Sequence, residues 1–255
     1  MNGRPARALV FALITLTLGC VAKAQTSPYA QWAVVVAAGD DRAAHEDVPT
    51  LAFDNARRDV ATALIRRGFS PANIAQFSLD PLNFPDAPSE ATSLKAIGAR
   101  LNELSKTASA GCLVYVTSHG SPDGVVTGET LTAPDELARV VGGACGDRPT
   151  AVIVSACFSG VFVPALAGPN RFVLTAARRD RSSFGCSESD RYPFFDACII
   201  ESLPVAADFA DLADRARICV NHKEIEARMR PASMPQLRIG ERFRALAQRF
   251  APPGG

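Results

Sequence analysis

The sequence predicts an α/β protein with a mostly parallel central sheet of about six strands and helices on both faces. Uninterrupted apolar runs, typical of strands buried on both sides, recur along the chain. Segments with apolar residues at helical spacing separate these runs. Strands that alternate with helices favour parallel pairing, because each parallel connection needs a crossover long enough to hold a helix.

The first half of the chain contains two such alternations. Residues 32–38 form a continuous apolar strand candidate, and residues 51–67 carry apolar side chains at helical spacing before Gly68, a typical helix stop. Residues 74–79 are a short strand candidate, and residues 90–106 return to helical spacing.

The second half continues the alternation and ends in a short helix. Its strand candidates are residues 112–117, 151–156, 171–175 and 235–240, the last at a sheet edge because it begins with a proline. Its helix candidates are residues 134–141, 193–203, 210–229 and 241–250, and a polar loop occupies residues 178–191.

The composition is that of an ordinary globular protein. The 255 residues are 47% hydrophobic and 21% charged, which excludes a disordered chain. A formal net charge of +1 gives no basic footprint for nucleic acid, so we expect no nucleic-acid partner. No feature of the sequence calls for a cofactor.

The N-terminal residues have the layout of a secretory signal peptide. Arg4 and Arg7 precede an apolar run at residues 8–18, and residues 22–24 (Ala-Lys-Ala) offer a cleavage site. Cleavage at that site defines a signal peptide over residues 1–24. It leaves residues 25–255 as one domain that is exported, either periplasmic or secreted.

A second interpretation of the N-terminus rests on Cys20. Leu18-Gly19-Cys20 resembles a bacterial lipobox, in which the cysteine carries a lipid anchor, although Thr17 stands where such boxes usually have Leu. The apolar run is shorter than the ~20 residues of a spanning helix, and no later segment is longer. We therefore expect no membrane span.

Two successive strand candidates end in residues suited to catalysis. His119 follows the strand at residues 112–117, and Cys157 follows the strand at residues 151–156. Their spacing accommodates one loop, one crossover helix and one strand. A right-handed crossover therefore places His119 and Cys157 on neighbouring strands at the same edge of the sheet.

A histidine beside a cysteine at such an edge can activate the thiol as a nucleophile. Gly120 lets a substrate carbonyl approach its backbone N–H, which with the N–H of Cys157 would form an oxyanion hole. Taken singly, Cys157 is also compatible with a buried apolar residue, and His119-Gly120 with a simple turn. The pairing at two successive strand ends favours the catalytic interpretation.

These motifs resemble those of the legumain-like cysteine peptidases, peptidase family C13 of the caspase-like clan CD. Residues 118–120 (Ser-His-Gly) and 155–160 (Ser-Ala-Cys-Phe-Ser-Gly) match the two catalytic motifs in order and spacing. The resemblance spans roughly residues 30–200. After the strand candidate at residues 171–175, the chain resembles bacterial members of the family. The further matching segments are residues 34–38, 55–59, 174–177, 183–186 and 194–195.

The resemblance implies a caspase-like three-layer sandwich and a cysteine endopeptidase that cleaves after Asn or, less often, Asp. Cys157 would be the nucleophile and His119 the general base and acid, with no mandatory third member. Some members of the family act as transpeptidases or ligases. Legumains usually carry Glu two residues before the cysteine, where this chain has Ser155, which leaves Asn specificity open.

Four further residues are candidates for substrate binding. Asp180 and Asp190 lie in the polar loop after the strand at residues 171–175, and Asn55 and Arg58 lie at the start of the first helix candidate. An acidic pocket floor would favour basic or amide side chains, and an arginine floor would favour Asp. The sequence leaves both alternatives open.

The remaining cysteines and His45 have other interpretations. We expect Cys112 and Cys145 to meet opposite the active site and form a disulfide, since export makes disulfides plausible. A second bridge would draw on the other cysteines, with Cys186 and Cys219 as the proposed pair and Cys198 as the third candidate. One cysteine besides Cys157 should then be unpaired. His45 lies among acidic residues, but their spacing matches no metal-ligand pattern, so we expect no metal.

The leading hypothesis is therefore an exported cysteine endopeptidase whose partner is a peptide or protein substrate. Two alternatives remain: a transpeptidase or ligase with the same fold, and a catalytically silent caspase-like binding protein in the cell envelope. A serine hydrolase is disfavoured, because the sequence has no G-x-S-x-G elbow.

Overall fold

The computed structural model describes residues 27–43, 48–246 and 249–250. The strands are β1 (Trp32–Ala38), β2 (Ile74–Ser78), β3 (Glu90–Ala91), β4 (Gly111–Thr117), β5 (Gly120–Ser121), β6 (Gly124–Thr127), β7 (Thr130–Thr132), β8 (Thr150–Ser155), β9 (Arg171–Thr175) and β10 (Gln236–Ile239). The helices are α1 (Ala52–Arg66), α2 (Leu94–Thr107), α3 (Pro134–Cys145), α4 (Phe162–Leu166), α5 (Phe194–Ser202), α6 (Phe209–Glu226) and α7 (Glu241–Leu246). Two single 3₁₀ turns cover Pro71–Asn73 and Ser159–Val161.

The central sheet has the strand order β10-β9-β8-β4-β1-β2-β3. All neighbouring pairs are parallel except β10 with β9, so the last strand is an antiparallel edge strand, as its proline start predicts. The predicted α/β class with a mostly parallel sheet is confirmed. The sheet has seven strands rather than about six.

The additional strand is β3, a two-residue segment that the sequence pattern assigned to a helix. Glu90 pairs with Phe77 of β2, and the helix begins only at Leu94. Ser93 sets this later start, because its hydroxyl accepts a hydrogen bond from the Ala96 N–H at 3.1 Å and caps the helix. Period-3.6 spacing alone does not reveal such a cap.

Two hydrophobic cores cover the two faces of the sheet, which gives three layers. Alternate residues of β1 point to opposite faces, so that Val34 and Val35 belong to different cores. The core on one face is closed by α1, α5, α6 and α7, through Leu64, Phe195, Leu212 and Phe243 among others. The other is closed by α2, α3 and α4, through Ile97, Leu137 and Phe162 among others.

A small second sheet, β5-β6-β7, follows β4 and was not predicted. Its strands have two to four residues and contain glycine and threonine rather than an apolar run. It forms a meander between the end of β4 and α3, and it begins at Gly120. His119 therefore lies between the end of β4 and the start of this meander.

Two disulfides connect helices to the fold. The predicted bridge between Cys112 and Cys145 is present, with Cα atoms 6.1 Å apart. The proposed Cys186–Cys219 pair is wrong: Cys219 of α6 bonds to Cys198 of α5, because these helices pack against each other. Cys157 and Cys186 are the free cysteines among the described residues, so the expectation of a second unpaired cysteine is confirmed.

Several predictions concern residues outside the described parts of the chain, namely the signal peptide at residues 1–24, the alternative lipid site at Cys20, and His45. Among the helices that are described, none combines the length and the apolar character needed to cross a bilayer. Within the same residues, no cluster of three or more His, Cys, Asp or Glu side chains is arranged to hold a metal ion.

We predict that the double variant Cys198→Ala/Cys219→Ala lowers the free energy of unfolding by about 3 kcal/mol. The lost bridge closes a loop with a sequence separation of 21, and the unfolded chain regains the corresponding entropy. Urea titration monitored by circular dichroism measures the change. Cys186→Ala, which removes a thiol outside both bridges, is the control, and equal stability of the double variant and wild type would contradict the prediction.

Candidate active site

The register of β4 against β8 brings the two candidate catalytic residues to one edge of the sheet. Thr117 and Ser155, the last residues of these parallel strands, are register partners. The ladder extends one step further, since the Ser118 N–H donates to the Ser155 carbonyl at 3.0 Å. His119 and Cys157 each lie two residues beyond the last paired position, on adjacent strands.

Gly120 lies directly against the backbone of Cys157. A Cβ built on Gly120 would lie 2.3 Å from the Cys157 carbonyl oxygen, far inside van der Waals contact. Gly120 and Val125 are opposite each other in the antiparallel pair of β5 and β6. The Val126 N–H donates to the His119 carbonyl, so His119 and Val126 form a hydrogen-bonded pair, and Gly120 and Val125 form the non-hydrogen-bonded pair next to it. The meander therefore does not use the Gly120 N–H.

The thiol of Cys157 is held by Ser183 from the loop after β9. The Ser183 N–H donates to the Cys157 Sγ at 3.3 Å, and the carbonyl and hydroxyl oxygens of Ser183 lie 3.6 Å from the same sulfur. Sequence reasoning missed Ser183, although it belongs to one of the segments that match bacterial family members.

The residue after Cys157 has a left-handed backbone conformation. Phe158 has φ 58° and ψ 9°, which costs on the order of 1 kcal/mol for a residue with a side chain. Its N–H donates to the Arg181 carbonyl at 2.8 Å, which fixes the peptide between Cys157 and Phe158. The loop after β9 thus contacts Cys157 through its sulfur and through the peptide that follows it.

His119 is oriented by two contacts. Its ring meets the edge of Phe53 in α1 with centroids 5.0 Å apart, and its Nε2 lies 2.8 Å from the Arg42 carbonyl. A carbonyl oxygen only accepts hydrogen bonds, so Nε2 carries the hydrogen. The lone pair of neutral His119 is then on Nδ1, which makes Nδ1 the nitrogen that can take a proton.

A buried carboxylate joins the ends of β4 and β8. Asp196, in the first turn of α5, is fully buried and accepts hydrogen bonds from Ser155 at 2.5 Å, Thr117 at 3.0 Å and Tyr115 at 2.5 Å. Burial raises the pKa of Asp196 to about 6, against the opposing effect of these three hydroxyls. Burial, and next the charge of Asp196, raises the pKa of Tyr115 well above its usual value.

The four candidate substrate-binding residues contact neighbouring loops and helices rather than Cys157 or His119. Asp180 is exposed and pairs with Arg178 at 2.5 Å, and Asp190 accepts from the Ser187 N–H at 2.8 Å. Asn55 donates to the Arg191 carbonyl at 3.2 Å, which ties α1 to the polar loop.

Arg58, the fourth candidate, lies 3.9 Å from the ring centroid of Phe84 and 3.4 Å from Asp54. Among the described residues, no hydrogen bond or ion pair of these four candidates reaches Cys157 or His119. The structure brings together His119, Gly120, Ser155 and Cys157, and places the four candidates in the surrounding loops.

The two free thiols differ in their surroundings. Cys186 is half-buried in the loop after β9, and burial, followed by the neighbouring Cys157, Asp190 and Asp196, raises its pKa to about 12. Cys186 therefore remains a protonated, weakly nucleophilic thiol at neutral pH. Cys157 is the other free thiol and lies at the strand end beside Gly120.

Comparison with known proteins decides the family. The model of the peptidase C13 family matches residues 33–203, which includes every residue of the site described above. The chain belongs to the peptidase C13 family. No curated protein shows a significant match to the sequence.

The fold of this C13 peptidase is also found in caspases. The crystal structure of caspase-1 from Spodoptera frugiperda superimposes with a TM-score of 0.58, covering 84% of this chain and 89% of the caspase chain at 13% sequence identity. At this level of identity the similarity concerns the fold alone. The predicted caspase-like three-layer sandwich is confirmed, and the family supports a cysteine peptidase that acts on peptide or protein substrates.

We predict that Asp196→Asn removes a pH dependence of stability. The folded protein keeps a proton on Asp196 up to about pH 6, whereas the unfolded chain releases it near the ordinary value of 3.8. The stabilising contribution is therefore present below the unfolded value and is lost as the pH rises through about 6. Relative to the variant, the wild-type free energy of unfolding should fall by on the order of 2–3 kcal/mol across this window.

Urea titrations at several pH values measure this difference. Asp214→Asn, at an exposed position of α6, is the control and should follow the wild-type curve. Parallel curves for wild type and Asp196→Asn would show that the buried carboxyl does not retain its proton.

Proposed function

We propose that this chain is an exported cysteine endopeptidase that hydrolyses peptide bonds through Cys157 and His119. The observation that carries the proposal is the register of β4 and β8, which puts both residues just beyond paired strand ends, with Gly120 against the Cys157 backbone. The tautomer fixed by the Arg42 carbonyl supports His119 as the base.

The proposed reaction has two stages. The Cys157 thiol transfers its proton to Nδ1 of His119, and the thiolate attacks the carbonyl carbon of the substrate. The backbone N–H groups of Gly120 and Cys157 bind the resulting oxyanion. His119 then donates its proton to the leaving amine, which breaks the C–N bond and leaves an acyl-enzyme. Water, deprotonated by His119, hydrolyses this thioester and restores the thiol.

The proposed substrate preference follows from the Asp196 carboxylate, which is hydrogen-bonded to Ser155. Ser155 lies two residues before the nucleophile, and its hydroxyl donates to the Asp196 carboxylate. A substrate carboxylate near this group would be repelled, whereas an amide side chain carries no charge and can both donate and accept. We therefore propose cleavage after Asn in preference to Asp.

Export is proposed from the N-terminal sequence pattern, with residues 25–255 as the mature domain. The two disulfides support it, because such bridges persist in oxidising compartments. A lipid anchor at Cys20 remains the alternative form of the exported protein.

We predict that Cys157→Ala lowers the rate of peptide cleavage by on the order of 10⁴-fold or more, because the acyl-enzyme cannot form. Cleavage of an internally quenched peptide library by the mature protein measures the rate. Iodoacetamide should modify wild-type Cys157 at neutral pH, as shown by peptide mass spectrometry. Cys186→Ala, which removes the other free thiol, is the matched control.

Three outcomes distinguish the alternatives. Cleavage that survives in Cys157→Ala contradicts the assignment of the nucleophile. Efficient alkylation of Cys157 without cleavage of any library member favours a catalytically silent scaffold. Ligated products that form when an amine acceptor is added favour a transpeptidase or ligase over a hydrolase.

We predict that peptides with Asn before the scissile bond are cleaved with a kcat/KM about tenfold or more above that of matched Asp peptides at pH 7.5. At this pH the Asp196 carboxylate is ionised, since its pKa is about 6, and it repels a substrate carboxylate. Asp196→Asn should reduce the ratio. Equal cleavage of both peptides, or a ratio unchanged in the variant, would contradict this assignment of the pocket.

A further inference from the structure

A buried aspartate shapes the turn that carries the Arg42 carbonyl. Asp40 follows β1 and is 4% exposed. Its Oδ1 accepts hydrogen bonds from the backbone N–H of Asp41 at 2.9 Å and of Arg42 at 3.2 Å. The same oxygen accepts from Nε of Arg42 at 2.9 Å, and Oδ2 accepts from its Nη2 at 2.9 Å. One carboxylate therefore contacts both the backbone N–H and the side chain of Arg42, whose backbone also forms a bridge with Pro49.

This turn is attached to the strand that carries His119. The Gly39 N–H donates to the Thr117 carbonyl at 2.9 Å, and the Gly39 carbonyl accepts from the Gly128 N–H at 2.9 Å. A Cβ on Gly39 would lie 2.2 Å from the Val126 carbonyl oxygen, so the backbone is in close contact with the meander. The backbone of Gly39, which precedes Asp40, is therefore held in place relative to β4.

Asp40 is ionised in its buried position. Burial alone would raise its pKa, but the hydrogen bonds from the Arg42 side chain and from the backbone of Arg42 and Asp41 hold the pKa below its usual range. The Arg42 side chain remains 54% exposed. An exposed ion pair contributes little to stability, whereas a buried carboxylate bonded to two successive backbone N–H groups determines the path of the chain.

We propose that Asp40 is a positioning residue of the peptidase: it directs the Arg42 carbonyl at Nε2 of His119 and thereby keeps Nδ1 as the nitrogen that takes the proton of Cys157. The effect on catalysis rests on the proposed function. The effect on the His119 tautomer rests only on the hydrogen-bond geometry. Asp40 lies two residues from the carbonyl that it directs and makes no contact of its own with the reacting atoms.

The tautomer of His119 provides a direct test that needs no substrate. The chain has three histidines, so spectra of protein labelled with ¹⁵N-histidine are simple, and His119→Gln assigns the signal. At pH 8, where histidine is neutral, the two-bond ¹H–¹⁵N correlations distinguish the Nε2–H and Nδ1–H forms. Wild type should show the Nε2–H form, and Asp40→Ala should show a mixture.

The kinetic consequence is measured on the same variants. Asp40→Ala should slow iodoacetamide alkylation of Cys157 and lower kcat about tenfold with KM unchanged, a smaller loss than removal of a general base. Asp40→Asn keeps an oxygen for the two backbone N–H groups and should recover part of the rate. Asp41→Ala, which removes the neighbouring exposed side chain, is the matched control and should resemble wild type.

Two results would overturn the proposal. One is an Nε2–H tautomer and an alkylation rate in Asp40→Ala that equal those of Asp41→Ala. The other, which decides if Asp40→Ala does not fold, is a folded Asp40→Val variant, close in volume but without an oxygen for the two backbone N–H groups, that has the wild-type spectrum and rate. If the tautomer shifts as expected but no protein form cleaves peptides, the positioning role stands and the proposed hydrolysis fails.

Discussion

The parallel pairing of β4 with β8 is the interaction on which the site depends. Both strands are buried on both faces, so each residue is assigned to one of the two cores, and a slip of one residue would exchange the faces. Tyr115 and Thr117 share a face of β4, and with Ser155 of β8 they converge on Asp196. The buried carboxylate is thus satisfied in one register only, the register that puts His119 beside Cys157.

The parts of the fold that the sequence could predict are those governed by burial on a large scale. Uninterrupted apolar runs located β1, β4, β8 and β9 to within a residue, because strands that are buried on both faces consist almost entirely of apolar residues. The same logic placed His119 and Cys157 at one sheet edge. It failed for β3 and the β5-β6-β7 meander, whose strands of two to four residues are too short to show a period.

Other features of the site leave weaker traces in the sequence. The Arg42 carbonyl is a backbone group, and no residue type at position 42 is required to supply it. The rule that functional groups gather at strand ends nevertheless applies to residues 39–42, which follow β1. Asp196 did leave a signal: it is one of two charged residues in the otherwise mainly apolar helix α5, and unlike Glu201 it faces inward. A lone acid on a buried helix face needs hydrogen-bond donors, and only the fold shows that these come from β4 and β8.

The two buried carboxylates Asp40 and Asp196 show how hydrogen-bonding partners decide whether a buried acid is ionised. Asp40 meets a guanidinium and two backbone N–H groups, so its pKa falls in spite of burial. Asp196 meets three hydroxyls and no cation among the described residues, so burial prevails and its pKa rises to about 6. Asp40 therefore keeps its charge to a lower pH than an ordinary carboxyl and can hold a fixed geometry. Asp196 changes charge at about pH 6, so the polarity next to Ser155 depends on pH.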